Sequence, residues 1–292
     1  MSKMWDADVI GKLSFWRAVV AECLAALLYV FVVCASFLHW HSFSLGVEET
    51  LLCAFTAGFM YATMVHCFEH VSGGHLNPAT TFGMLLSGRI GLFQAFFFIV
   101  FQCGGGIGGA AILFAMTPDT VRGYLGVTRI SDEVTEIQAF AMEVMITFIV
   151  VFTVFATFDT KRQTRESRGL AVGLAVVIGN LIGLSFTGAS MNPARTIGPA
   201  VIMGIYDGLW VYCAGPLAGG VLAGWLYVFT FGRQLGNPTS KPSQGRPQEH
   251  ELKTFKTEDA SMNHTGADNA AFVEMESQTP DFMNHDSNST QF

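Results

Sequence analysis

The chain has 292 residues, of which 51% are hydrophobic and 13% charged, with a formal net charge of −7. That balance is too apolar for an ordinary soluble domain and points to the membrane class. No nucleic-acid partner and no cofactor is expected.

The apolar residues gather into blocks of about 18 to 25 residues, the length a helix needs to cross the hydrocarbon core. Residues 1–13 read as a cytoplasmic N-terminus. The first block, Phe15–Leu38, contains Glu22, follows Lys12 and Arg17, and is not followed by a small-residue cleavage site. It reads as a retained span rather than a signal peptide. The connection His39–Glu49 has no Lys or Arg and reads as an outside loop. A second block, Thr50–Phe68, precedes Arg89, and a third covers Gly91–Met116. The glycines of Gly104-Gly105-Gly106-Ile107-Gly108-Gly109 lie inside that span, not between a strand and a helix. They read as close helix packing, not as a nucleotide loop, and no enzyme is expected. Thr117–Glu136 sets Arg122 and Arg129 against several acids, and the fourth block is Ile137–Phe158. Lys161, Arg162, Arg165 and Arg168 fill the next connection, before spans at Gly169–Phe186 and Leu209–Phe231. By the positive-inside rule this distribution puts both termini in the cytoplasm.

Residues 233–292 turn to Asn, Ser, Thr, Pro and acids and read as a disordered acidic cytoplasmic tail. The glycosylation patterns at Asn263 and Asn288 would then face the cytosol and go unused. Ser240, Ser261, Thr164 and Ser167 are accessible hydroxyls of a kind common in tails and loops. All six cysteines fall inside predicted spans, without metal-site spacing, so neither a disulfide framework nor a zinc site is expected. His39, His41, His66, His70 and His75 likewise lack a carboxylate or cysteine at ligand spacing.

The two halves repeat one another. Each opens a span with a glutamate, Glu22 or Glu143, and each places an Asn-Pro-Ala triplet between its second and third spans, at Asn77-Pro78-Ala79 and Asn192-Pro193-Ala194. With three crossings per half, the second copy enters the bilayer from the opposite side. The repeats run over about 14–116 and 137–231, within a channel domain at 14–232. Thr80–Gly88 and Arg195–Gly204 are apolar but too short to span, as re-entrant half-helices are. Asn favours the N-cap and Pro the first helical position, so each triplet starts a half-helix with its positive end toward the bilayer centre. The fold class is therefore all-α membrane protein: six transmembrane helices plus two re-entrant half-helices in an inverted repeat. Asparagine amides at two facing positive ends can hold a passing water while repelling cations and protons.

From Trp16 to Phe231 the residues resemble the aquaporin, or major intrinsic protein, family. The resemblance is carried by Ser72-Gly73-Gly74-His75-Leu76-Asn77-Pro78-Ala79 and Thr187-Gly188-Ala189-Ser190-Met191-Asn192-Pro193-Ala194-Arg195. Trp16 to Glu22, Gln102-Cys103-Gly104-Gly105 and Gly215-Pro216-Leu217-Ala218-Gly219-Gly220 add to it. It implies a homotetramer in the plasma membrane, with a pore for water and small uncharged solutes in each subunit. It assigns Asn77 and Asn192 to the central constriction, Arg195 to an outer filter, and Glu22 and Glu143 to holding the loops. His75 falls at the cytoplasmic mouth, in a packing or a pH-responsive role.

Counting by the family's spacing, the filter is completed by Ala57, Asn180 and Ala189. In strict water channels of the family an aromatic and a histidine stand where Ala57 and Asn180 are found, so the ring implied here is wider and admits glycerol- or urea-sized solutes. A shift of the second helix would instead bring Phe55 or Phe59 inward. Thr196 and Ala200 follow the water-type pattern, whereas Cys213 departs from it, where a tryptophan is usual. Two other functions remain open within the family: a junctional or scaffolding protein, and a cation conductor, which the similarity of Glu22–Val33 and Gln102–Ile107 to the big-brain members raises.

Overall fold

The computed structural model of the chain describes residues 7–38, 40, 46–158 and 168–231. The tail at 233–292, both glycosylation patterns, the four hydroxyls, His39, His41, Lys161, Arg162 and Arg165 lie outside the described residues. Among the described residues all regular structure is helical. A 3-10 turn at Ala7–Gly11 leads into α1 (Leu13–Ala35), α2 (Val47–Ser72), α3 (Pro78–Leu86), α4 (Leu92–Met116) and a single turn, α5 (Asp119–Arg122). Then come α6 (Glu136–Thr157), α7 (Arg168–Thr187), α8 (Pro193–Met203) and α9 (Leu209–Thr230).

Six of these helices, α1, α2, α4, α6, α7 and α9, are 20 to 26 residues long and apolar enough to span a bilayer. At a rise of about 1.5 Å per residue they measure about 30 Å or more, the thickness of the hydrocarbon core. The spans fall where the apolar blocks predict them; α2 alone extends well past its block at both ends, through Val47 and Ser72. Its ends carry Glu48, Glu49, Glu69 and His70, so the apolar run understates a helix whose backbone bonds continue past it.

The half-helices α3 and α8 begin at the two prolines, as the local chemistry requires. Asn77 and Asn192 have extended backbone and cap their helices: the Asn77 side chain accepts from the Ala79 N–H and the Asn192 side chain from the Ala194 N–H. Pro occupies the first helical position in both, where its missing N–H removes nothing.

Each repeat pairs its first and third spans, α1 with α4 and α6 with α9, and α2 lies along α7 between the halves. The half-helices cross over: α3 packs on α9 and α8 on α4. Glycine permits these approaches. A Cβ on Gly105 or Gly109 would strike the α1 carbonyls of Cys23 and Leu27, and one on Gly106 would meet the Ala194 carbonyl at 2.5 Å. The glycine run of α4 is thus a contact face on two sides, toward α1 and toward α8.

Candidate functional site

Both re-entrant loops are built on a buried carboxylate. After α2 the chain turns through Gly73 and Gly74 to Leu76, at φ 56°; after α7 it turns through Gly188 and Ala189 to Met191, at φ 53°. A non-glycine residue held in the left-handed region costs of order 1–3 kcal/mol, so the surroundings must dictate it. Glu22 does so for the first loop: it accepts from the Ser72 hydroxyl (2.5 Å), the His75 N–H (2.9 Å), the Leu76 N–H (2.7 Å) and the Gln102 amide (2.7 Å). Glu143 does the same for the second, accepting from the Thr187 hydroxyl (2.6 Å), the Ser190 N–H (2.9 Å) and the Met191 N–H (2.8 Å). Both glutamates are fully buried, where an acceptor without donors would be costly.

The strained residues then join the loops to each other. With its N–H committed to Glu22, Leu76 turns its carbonyl to the opposite loop and accepts from the Asn192 amide at 3.1 Å. Met191, bound to Glu143, accepts from the Asn77 amide at 2.7 Å. The tips of α3 and α8 are thereby latched reciprocally, in the buried interior. Each asparagine uses its oxygen on its own half-helix and one amide hydrogen on its neighbour's loop, which leaves one hydrogen uncommitted by these bonds. His75 is buried, its Nδ1 3.1 Å from the Thr81 hydroxyl and its ring edge-on to Phe98 at 5.5 Å.

Arg195 follows the second triplet and is only 2% exposed. Its Nη1 donates to the Gly126 carbonyl at 2.5 Å, and its guanidinium carbon lies 5.3 Å from the centre of the Phe37 ring. Gly126 comes from the connection between α4 and α6, which the sequence presents only as a loop. Leu125, at φ 52° and fully buried, anchors that connection, and Gly126 packs so closely on α1 that a Cβ would lie 2.9 Å from Cys34 Cα. Thr128, from the same connection, is 2.9 Å from the Thr196 hydroxyl.

Among the remaining predicted residues, Asn180 is buried and folds its amide back onto the Val176 carbonyl of its own helix (2.9 Å). Ala189 is buried beside Gly183, where an added Cβ would lie 3.1 Å from its methyl. On α2 it is Ala57 that turns inward, at 1% exposure, while Phe55 and Phe59 stay on the outer face at 42% and 52%. A cavity of about 350 Å³ is lined by Phe37 and Gly126, the two residues that touch the Arg195 guanidinium, and by Tyr124, Leu184 and Gly188 among others. Among the described residues no cluster of His, Cys, Asp or Glu is arranged to hold a metal. Sequence reasoning missed Gly126, Thr128 and Phe37. A backbone carbonyl leaves no trace in a sequence, and an aromatic at the end of a span reads as an anchor at the membrane surface.

The profile described as Major intrinsic protein matches residues 9–227. The chain belongs to that family. Among curated relatives it is 45% identical over 224 residues to aquaporin-4 of Homo sapiens, covering 75% of this chain and 68% of the relative. To the lens fiber major intrinsic protein of Lithobates pipiens it is 41% identical over 227 residues, covering 77% of this chain and 84% of the relative. The X-ray structure of the aquaglyceroporin from Plasmodium falciparum shares the fold, with a TM-score of 0.66 at 18% identity over 73% of this chain and 95% of that one. A major intrinsic protein with six spanning helices is a multi-pass transmembrane channel, and the family consists of channels, not enzymes.

Proposed function

We propose that this channel passes water and small uncharged solutes such as glycerol or urea down their own gradients and excludes protons and ions. In this reading Ala57, Asn180 and Ala189 form the ring around Arg195, and the observation that supports it is their small inward bulk: Ala57 and Ala189 are buried methyl groups, and Asn180 is drawn back onto its own helix. An asparagine so folded narrows a pore less than an imidazole reaching across it. The reciprocal latch between Asn77 and Asn192 forms the central constriction, where the uncommitted amide hydrogens hold a permeating oxygen between two positive helix ends. Glu22 and Glu143 hold the loops. His75 lies toward the cytoplasmic mouth, and its contacts with Thr81 and Phe98 support a packing role.

The channel domain spans 14–232, assembles as a homotetramer in the plasma membrane, and keeps the N-terminus and the acidic tail at 233–292 in the cytoplasm. The distribution of Lys and Arg supports that orientation. Osmotic and glycerol permeability of the same proteoliposomes test the reading. Asn180→His with Ala57→Phe lowers glycerol flux by about tenfold, equivalent to about 1.4 kcal/mol of added barrier, and water flux by less. Glycerol flux unchanged by those substitutions contradicts the filter assignment. Vesicles no more permeable than protein-free ones favour the scaffolding function.

A further inference from the structure

The side of the filter that Ala57 leaves open is not empty space. The carbonyl of Ser36, just past the end of α1, lies 3.4 Å from the Cys53 thiol, which donates to it. Cys53 and Ala57 are one helical turn apart on the same buried face of α2, at 0% and 1% exposure. The end of α1 therefore sits beside the inward face that carries Ala57. The next residue, Phe37, turns inward over Arg195 and lines the cavity together with Gly126, whose carbonyl holds the guanidinium. The same cavity is lined by Leu184, one turn beyond Asn180 on α7, and by Gly188.

We propose that Phe37 is a specificity-determining residue of the channel: its ring, supplied by the segment just after α1, walls the filter where α2 offers only a methyl group. The inference rests on the channel reading above. The ring and the guanidinium are joined by a cation–π contact, which favours this placement of the ring. A carbon-only face beside the N–H donors of Arg195 sets an upper limit on solute cross-section. It also favours solutes that present C–H groups on one edge and hydroxyl or amide groups on the other.

The test uses the full chain in proteoliposomes, with water, glycerol and the four-carbon polyol erythritol measured on the same vesicles. Phe37→Ala raises the erythritol-to-water permeability ratio by about threefold or more, and Phe37→Trp lowers the glycerol-to-water ratio by a similar factor. In an Ala57→Phe background, where a second ring stands in the filter, Phe37→Ala has a smaller effect, so the two positions are non-additive. Phe37→Leu gives an intermediate ratio and decides the question if the alanine variant does not fold. Ratios that stay at the wild-type value in both the small and the large variant, or move the same way in both, overturn the inference and leave the channel reading intact. Wild-type vesicles no more permeable than protein-free ones overturn the channel reading, and this inference with it.

Discussion

The loop from Ser72 to Thr81 and the loop from Thr187 to Thr196 can be laid over one another residue by residue. Ser72 and Thr187 give their hydroxyls to Glu22 and Glu143; Leu76 and Met191 sit at positive φ; Asn77 and Asn192 each donate to the other loop. Thr81 and Thr196 each lie within reach of the residue two before its asparagine, His75 or Ser190, and of one residue outside the loop, Gln102 or Thr128. The difference in charge comes directly after the triplets. Thr80, a buried hydroxyl, stands in the first loop where Arg195, a buried cation, stands in the second. What the two copies share is scaffold, and on the proposed function what they do not share is the filter, which makes support and selectivity separable.

The largest effect that follows concerns the scaffold. Glu22→Ala strands four donors and Glu143→Ala three, and each orphaned buried donor costs about 1–3 kcal/mol. Both variants lose several kcal/mol in detergent-solubilised thermal unfolding followed by tryptophan fluorescence, and the Glu22 variant loses more because Gln102 is stranded as well. Equal losses would mean that Gln102 adds nothing and that the two supports are energetically identical. The next effect separates the copies. Arg195→Ala raises cation leak and glycerol flux by about tenfold, since about 1.4 kcal/mol of barrier is already a factor of ten. Thr80→Ala leaves cation leak at the wild-type level. A leak of equal size from both substitutions would show that the barrier belongs to the helix ends common to the loops, not to the guanidinium.

The parts of this molecule that could be read from its sequence are those set by local or periodic chemistry. The six spans follow from apolar length, and both half-helices from an Asn-Pro pair, because a cap and a preset φ need no partner from elsewhere in the chain. Ala57 could be placed by counting, and the structure turns it inward instead of Phe55 or Phe59. The contacts around Arg195 were not legible. Gly126 acts through its carbonyl, and Leu125 beside it takes a left-handed backbone that nothing in its side chain announces. The reciprocal bonds between Asn77 and Met191 and between Asn192 and Leu76 likewise depend on two segments meeting from opposite sides, which identity alone cannot specify.

The smallest effect examines the threonines that the two copies share. Thr81→Val removes a hydroxyl standing 3.1 Å from His75 Nδ1 and 2.9 Å from the Gln102 amide; Thr196→Val removes one bonded to Ser190 at 2.6 Å and 2.9 Å from Thr128. Each variant loses about 1 kcal/mol per bond in the same unfolding assay, so the stability changes are alike. Their transport effects are not. Thr196 ties the connection that carries Gly126, and therefore Arg195, to the second loop, so Thr196→Val loosens the filter and raises the glycerol-to-water ratio. Thr81 ties only His75 and Gln102, both on the scaffold side, and Thr81→Val leaves that ratio unchanged. If the ratio moved equally in both variants, filter and scaffold would be one mechanical unit, and the division drawn between the two loops would fail.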